Sequence, residues 1–164
     1  MKSIVLIGMM GCGKSTVGRL LAKKLGREFV DTDQYIEEQA GRTVPEIFAR
    51  EGEDGFRAWE RRAGGELAER ENLVVACGGG LPTRRAAIAP LKARGTVIFL
   101  RRDPAEIYDK VSMSGRPLGQ EGRAAFLARY AAREPVYLSW ADAVVDVGAT
   151  PVETVKRILE VLKL

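Results

Sequence analysis

The chain predicts an α/β fold in which helices cover both faces of a parallel sheet, making three layers. Two observations carry this expectation. Apolar runs of strand length alternate with helical periodicities along all 164 residues. A glycine-rich turn also joins the first of these runs to the first helical pattern, the arrangement of a phosphate-binding strand–turn–helix unit.

The strand-like runs are Ser3–Ile7, Glu28–Val30, Leu73–Cys77, Thr96–Leu100 and Ala143–Val147. The first leads through Ile4-Val5-Leu6-Ile7 into Gly8–Thr16, read Gly-Met-Met-Gly-Cys-Gly-Lys-Ser-Thr. That matches G-x-x-x-x-G-K-[ST], with Gly8, Gly13, Lys14 and Ser15 at the fixed places. Val17, Leu20, Leu21 and Leu25 follow at helical spacing, and Gly26 supplies a stop. The second run ends in Asp31-Thr32-Asp33. From Asp33 to Asn72 the chain is too long for a simple connection and holds helical patterns over Ile36–Ala40, Pro45–Arg50 and Asp54–Arg70. Thr43 with Glu46 reads as a capping box. Gly64-Gly65 inside the last of these patterns weakens it by roughly 1 kcal/mol per glycine relative to alanine, with no reason visible in the sequence.

The third run enters Gly78-Gly79-Gly80, with a helix starting near Thr83. Asp103-Pro104 with Glu106 marks the next helix start. Ser112–Gly122 has no periodicity and is rich in glycine, so it reads as a mobile loop of the kind that closes over active sites. Thr150-Pro151 with Glu153 opens the last helix, with Val152, Val155, Ile158, Leu159 and Leu162 as its apolar stripe. A surface connector is the plain alternative for both long segments. No repeat or linker divides the chain, so one domain over 1–164 is expected, with an insertion at about 33–60 and a lid at about 112–122.

Composition narrows the function. Hydrophobic residues at 46% and charged residues at 29% are ordinary for a soluble globular protein, and no run approaches the ~20 apolar residues of a membrane span. The charge of +4 comes from 26 basic residues against 22 acidic ones, scattered without a long run, so nothing favours a nucleic-acid partner. Cys12 and Cys77 lack a metal-ligand spacing, and no cationic-then-apolar leader opens the chain; a reduced, cytoplasmic setting is expected. There is no histidine, so any proton acceptor must be a carboxylate, a lysine or a phosphate.

The phosphate-binding turn says what the remaining residues serve. Backbone amides of Gly11, Cys12, Gly13, Lys14, Ser15 and Thr16 suit a nucleotide phosphate at a helix N-terminus, Lys14 suits the β- and γ-phosphates, and the Ser15 hydroxyl suits Mg²⁺. Asp31 and Asp33 share a face if the strand continues through both, one near Mg²⁺ and the other near a substrate hydroxyl. Asp33 as N-cap of the following helix is the competing reading. The third strand ends in glycine where such enzymes often carry an acid, which makes Asp31 the better metal candidate. Gly78–Gly80 lets backbone come close to a ligand. Arg57, Arg116 and Arg133 suit carboxylates or phosphates, though each alone also suits a solvated surface.

Taken together, Gly8–Thr16, Asp31-Thr32-Asp33, Phe56-Arg57 followed by Glu60, Gly78-Gly79-Gly80, Arg116-Pro117-Leu118 and Arg133-x-Pro-x-Tyr137 resemble the shikimate kinases in order and spacing along nearly the whole chain. The resemblance implies a nucleoside-monophosphate-kinase-like fold with a central five-stranded parallel sheet and a mobile lid. It implies a monomer that transfers phosphate from MgATP to the 3-hydroxyl of shikimate. By similarity, Asp33 binds the substrate hydroxyls and helps accept the proton, and Arg57 and Arg133 bind the carboxylate. Gly78, Gly79 and Gly80 close the pocket, while Lys14 and Arg116 stabilise the transferring group. Ser15 ligates Mg²⁺, with Asp31 acting through water. Two features depart from the family pattern: Ser112-Met113-Ser114 in the lid is uncharged, and Val147-Gly148-Ala149-Thr150 lacks the arginine that relatives often place near adenine, where Lys110 is a further candidate. A gluconate kinase, a nucleoside-monophosphate kinase and a non-catalytic nucleotide-binding module are the rival readings.

Overall fold

Ser3–Ile7 (β1) is buried at every residue, on both faces of the strand, as the central strand of a covered parallel sheet must be. Its neighbours repeat the pattern: Leu73–Ala76 (β3) is wholly buried, and Gly95–Arg101 (β4) nearly so. In the computed structural model these strands join Glu28–Asp31 (β2) and Ala143–Asp146 (β5) in one five-stranded sheet of order β2-β3-β1-β4-β5. Every pair is parallel. The described residues are 1–113 and 122–164; Arg116 and the centre of the expected lid lie outside them.

Register sets the working edge. Leu6 lies opposite Ala76 and Ile98, and Asp31 opposite Ala76, so β1, β2 and β3 end level with one another. Ligands of open parallel sheets bind outside such carboxyl ends, beside the strand where the order reverses, which here is β1.

The helices follow the sequence signals with corrections. Lys14–Leu25 (α1) packs against β3 and against Pro151–Leu162 (α7). Leu20 and Val152 are exposed, so the buried stripes are Val17, Leu21 and Ala22 in α1 and Val155 and Ile158 in α7. Thr43 forms the full capping box with Glu46 at the start of Val44–Ala68 (α3). At Thr150 only half of the box forms, because Glu153 accepts from the Ala149 amide instead. The helix α3 turns at Gly52, whose φ of 71° breaks it where the two sequence patterns meet. Thr32–Ala40 (α2) precedes it.

Gly64 has a tertiary reason. A Cβ there would stand 2.1 Å from the Ala87 carbonyl oxygen in Arg85–Arg94 (α4), so glycine is what lets α3 and α4 touch. Gly65 has open space around it. A short 3₁₀ turn, Leu81–Thr83, precedes α4. The chain remains helical through Met113 in Pro104–Met113 (α5), past the expected start of the loop at Ser112, and Arg123–Trp140 (α6) follows. The main core gathers around the sheet, with Phe99, Phe126 and Tyr137 its bulkiest members. A smaller core of Ile36, Ile47 and Ala63, with Phe56 and Trp59 against it, ties α2 to α3. Among the described residues no helix is long and apolar enough to cross a membrane.

Candidate active site

The turn after β1 is shaped by close approach. A Cβ on Gly8 would lie 2.7 Å from the Leu100 carbonyl oxygen, and Gly13 caps α1 at φ 97°, so neither position accepts a side chain without strain. Lys14 is buried, its Nζ donating to the carbonyls of Gly8 at 2.7 Å and Met9 at 2.9 Å. The next residue reaches across to β2, the Ser15 hydroxyl donating to Asp31 Oδ2 at 2.8 Å.

Asp31 is the last residue of its strand and the cap of the next helix. Its Oδ1 accepts from the amides of Asp33 at 2.9 Å and Gln34 at 3.2 Å. The strand therefore does not continue through both aspartates, and the cap is Asp31, not Asp33. The turn of helix that follows carries Asp33 toward β3 instead. A Cβ on Gly78 would stand 2.7 Å from Asp33 Oδ1, and the Gly78 amide donates to Thr32 Oγ1 at 2.9 Å. Burial, then the neighbouring Asp31 charge, push the Asp33 carboxyl up to about 6 against the pull of Lys14.

None of the three consecutive glycines has a positive φ; close approach is what Gly78 and Gly79 serve. Cβ atoms on Gly79 and Gly80 would meet the Arg133 guanidinium at 3.4 Å. Tyr137, one turn along α6, donates its hydroxyl to the Gly79 carbonyl at 2.6 Å and so ties the helix to the glycine turn. The glycines thus seat Asp33 and Arg133 against the end of β3.

Glu60 is the residue whose role sequence reasoning missed. It is only 3% exposed, and burial followed by the Asp33 charge raises its carboxyl to about 7, opposed by the charges of Arg84, Arg133 and Arg57. Glu53, Arg57 and Glu60 recur at helical spacing along α3, a signal legible in the sequence. Arg57 pairs with Glu53 Oε1, and so does Arg84 at 3.3 Å.

A cleft of about 590 Å³ runs from Asp33 and Gly78 past Lys14 and Ser15 to Lys110 and Val147–Pro151. Gly11, Cys12, Gly13 and Thr16 line it as well; Gly80, Arg57 and Arg133 stand beyond these walls. Cys12 and Cys77 are buried free thiols, with burial pushing that of Cys77 far up. The paired oxygens of Ser15 and Asp31 fit a hard divalent cation, and no larger cluster of acidic or sulfur ligands occurs among the described residues. That sparse donor set suits Mg²⁺, which takes one or two protein oxygens and fills its shell with water and phosphate.

Comparison with known proteins identifies the family. The family model for shikimate kinase matches residues 10–163. A shikimate kinase of Symbiobacterium thermophilum is 46% identical over 140 residues, spanning 82% of this chain and 80% of its own. The structure of shikimate kinase from Acinetobacter baumannii in complex with shikimate superposes with a TM-score of 0.90 at 37% identity, covering 99% of this chain and 93% of that one. A gluconokinase from Sinorhizobium meliloti shares the fold only, with a TM-score of 0.62 at 22% identity over 99% of this chain and 91% of its own. With the family model matching nearly the whole length and a relative at 46% identity, this chain belongs to the shikimate kinase family.

Proposed function

We propose that this protein transfers the γ-phosphoryl group of ATP to the 3-hydroxyl of shikimate, giving shikimate 3-phosphate and ADP. The observation that carries the reading is Asp33: a carboxyl raised to about 6, facing the same cleft as Lys14 and Ser15. A general base works best with a pKa near the operating pH, and in a chain without histidine this carboxylate is the fitting acceptor of the hydroxyl proton.

The other roles follow from charge and geometry. The amides of Gly11–Thr16 hold the nucleotide phosphates, and Lys14 leaves its loop carbonyls to meet the transferring group. Ser15 and Asp31 would hold Mg²⁺, Asp31 through water, and the ion would supply positive charge to the nucleotide phosphates. Arg57 and Arg133 take the shikimate carboxylate, and both their charges act on the buried Glu60. Gly78–Gly80 wall the acceptor pocket. Arg116 completes the charge on the transferring group, and the segment that carries it excludes water, which would otherwise hydrolyse ATP. Because the transition state is loose, such positioning supplies most of the catalysis. The chain acts as a cytoplasmic monomer with one domain.

ADP release from MgATP, measured with and without shikimate and with gluconate and a nucleoside monophosphate as controls, tests the reading. Stimulation by shikimate alone is expected. Stimulation by gluconate instead, or none with ATP still bound, overturns it.

A further inference from the structure

Two guanidinium groups converge on one carboxylate of α3. Glu53 Oε1 is shared by Arg57 from its own helix and by Arg84, the residue that follows the 3₁₀ turn after Gly78–Gly80. Arg84 is the more sheltered of these arginines, its side chain 28% exposed against 41% for Arg57. The Nε atoms of Arg57 and Arg84 are both buried without a hydrogen-bond acceptor among the described residues. Two orphaned cationic donors side by side are costly unless an acceptor arrives.

Charge makes the same point. The charges of Arg57, Arg84 and Arg133 all act on Glu60, and Glu53 bridges two of them. Against the three guanidinium groups, Glu60 with its carboxyl raised to about 7 is only partly ionised at neutral pH, so the group keeps positive charge over for a substrate carboxylate.

We infer that Arg84 is a third arginine of the acceptor-carboxylate site, presented together with Arg57 by the bridging carboxylate of Glu53. The inference rests on the acceptor reading above and adds a specificity residue to it. Glu53 fills the role of an internal carboxylate, keeping both forks turned to a carboxylate partner before the acceptor binds. A hydroxylated ring without a carboxylate leaves the surplus charge uncompensated, so Arg84 selects acidic acceptors over neutral ones.

The test compares wild type, Arg84→Gln and Arg84→Lys with shikimate and with its methyl ester, by steady-state kinetics and by equilibrium binding of each compound. For Arg84→Gln, KM and Kd for shikimate should rise about tenfold, the lower end for a lost hydrogen bond between charged groups. The constants for the ester, and KM for ATP, should stay put, so the preference for acid over ester falls by the same factor. Arg84→Lys, which keeps the charge but not the fork, should restore part of it. Equal losses for acid and ester would show a merely structural residue, and no loss for either a surface ion pair; both overturn the inference. Binding separates this from the reaction itself. If the wild type binds shikimate without turning it over, the proposed activity fails while the Arg84 comparison still decides the site. Should Arg84→Gln not fold, Arg84→Lys carries the same acid-to-ester comparison.

Discussion

Replacing Asp33 by asparagine should make the protein inactive and, above neutrality, more stable. The carboxyl is raised from 3.8 to about 6 by burial and by the charges of Asp31 and Glu37, with Lys14 only partly offsetting them. A rise of that size corresponds to about 3 kcal/mol of disfavour for the ionised form in the fold. Since the folded pKa lies above the unfolded one, the protonated group contributes stability that is fully present below 3.8 and lost as the pH climbs through about 6. Asparagine is neutral at every pH and close in shape, so it escapes the loss. At pH 8 the variant should melt higher by about 6–12 °C, given about 2–4 °C per kcal/mol in a chain of this size. The gap should close as the pH is lowered toward 4. Thermal unfolding of both proteins at several pH values reads this directly. A gap that does not vary with pH, or a variant that melts lower at pH 8, would refute the argument that Asp33 is held ionised against its surroundings. Such a trade of stability for a poised group is common where activity needs it.

Further outcomes are expected. In the wild type, kcat/KM for the acceptor should fall on acidification below about pH 6, because the protonated Asp33 cannot take the hydroxyl proton; a flat profile there would remove it as the base. Arg57→Ala and Arg133→Ala should each raise KM for shikimate by at least about tenfold while leaving KM for ATP alone, as kinetics with each substrate varied will show. Gly64→Ala should destabilise by about 1–3 kcal/mol in urea unfolding, since its Cβ would collide with Ala87, whereas Gly65→Ala in open space should stabilise by up to about 1 kcal/mol. Tyr137→Phe, which orphans the Gly79 carbonyl, should lower stability by about 1–3 kcal/mol and loosen acceptor binding through Arg133.

The sheet was legible because its signals are local. Each buried strand is a short apolar run, and the phosphate turn declares both the strand before it and the helix after it. What could not be read depends on contacts between distant residues. Whether Asp31 or Asp33 caps α2 turns on where β2 stops pairing with β3, which the alternation of side chains does not fix. Gly64 looks like a weak point in a helix until Ala87 is set against it. The triple glycine was visible as an anomaly, but its reason lies in Asp33 and in Arg133, whose side chains fill the space. Arg84 resembles any surface arginine in sequence, and only its meeting with Glu53 sets it apart.

The strand order carries a consequence for how the protein comes to exist. The phosphate turn hangs from β1, yet the partners of β1 are β3 and β4, which begin far along the chain at Leu73 and Gly95. In a chain synthesised from its N-terminus the nucleotide-binding turn therefore emerges before both strands that lock it, and must wait for β4 to follow. Parallel pairing over such separations is slow, because the loop between the partners must be ordered before any contact rewards it. Until then Ile4-Val5-Leu6-Ile7 is an apolar segment with both edges unpaired. The strand at the heart of the finished enzyme is the part of the nascent chain most in need of shelter.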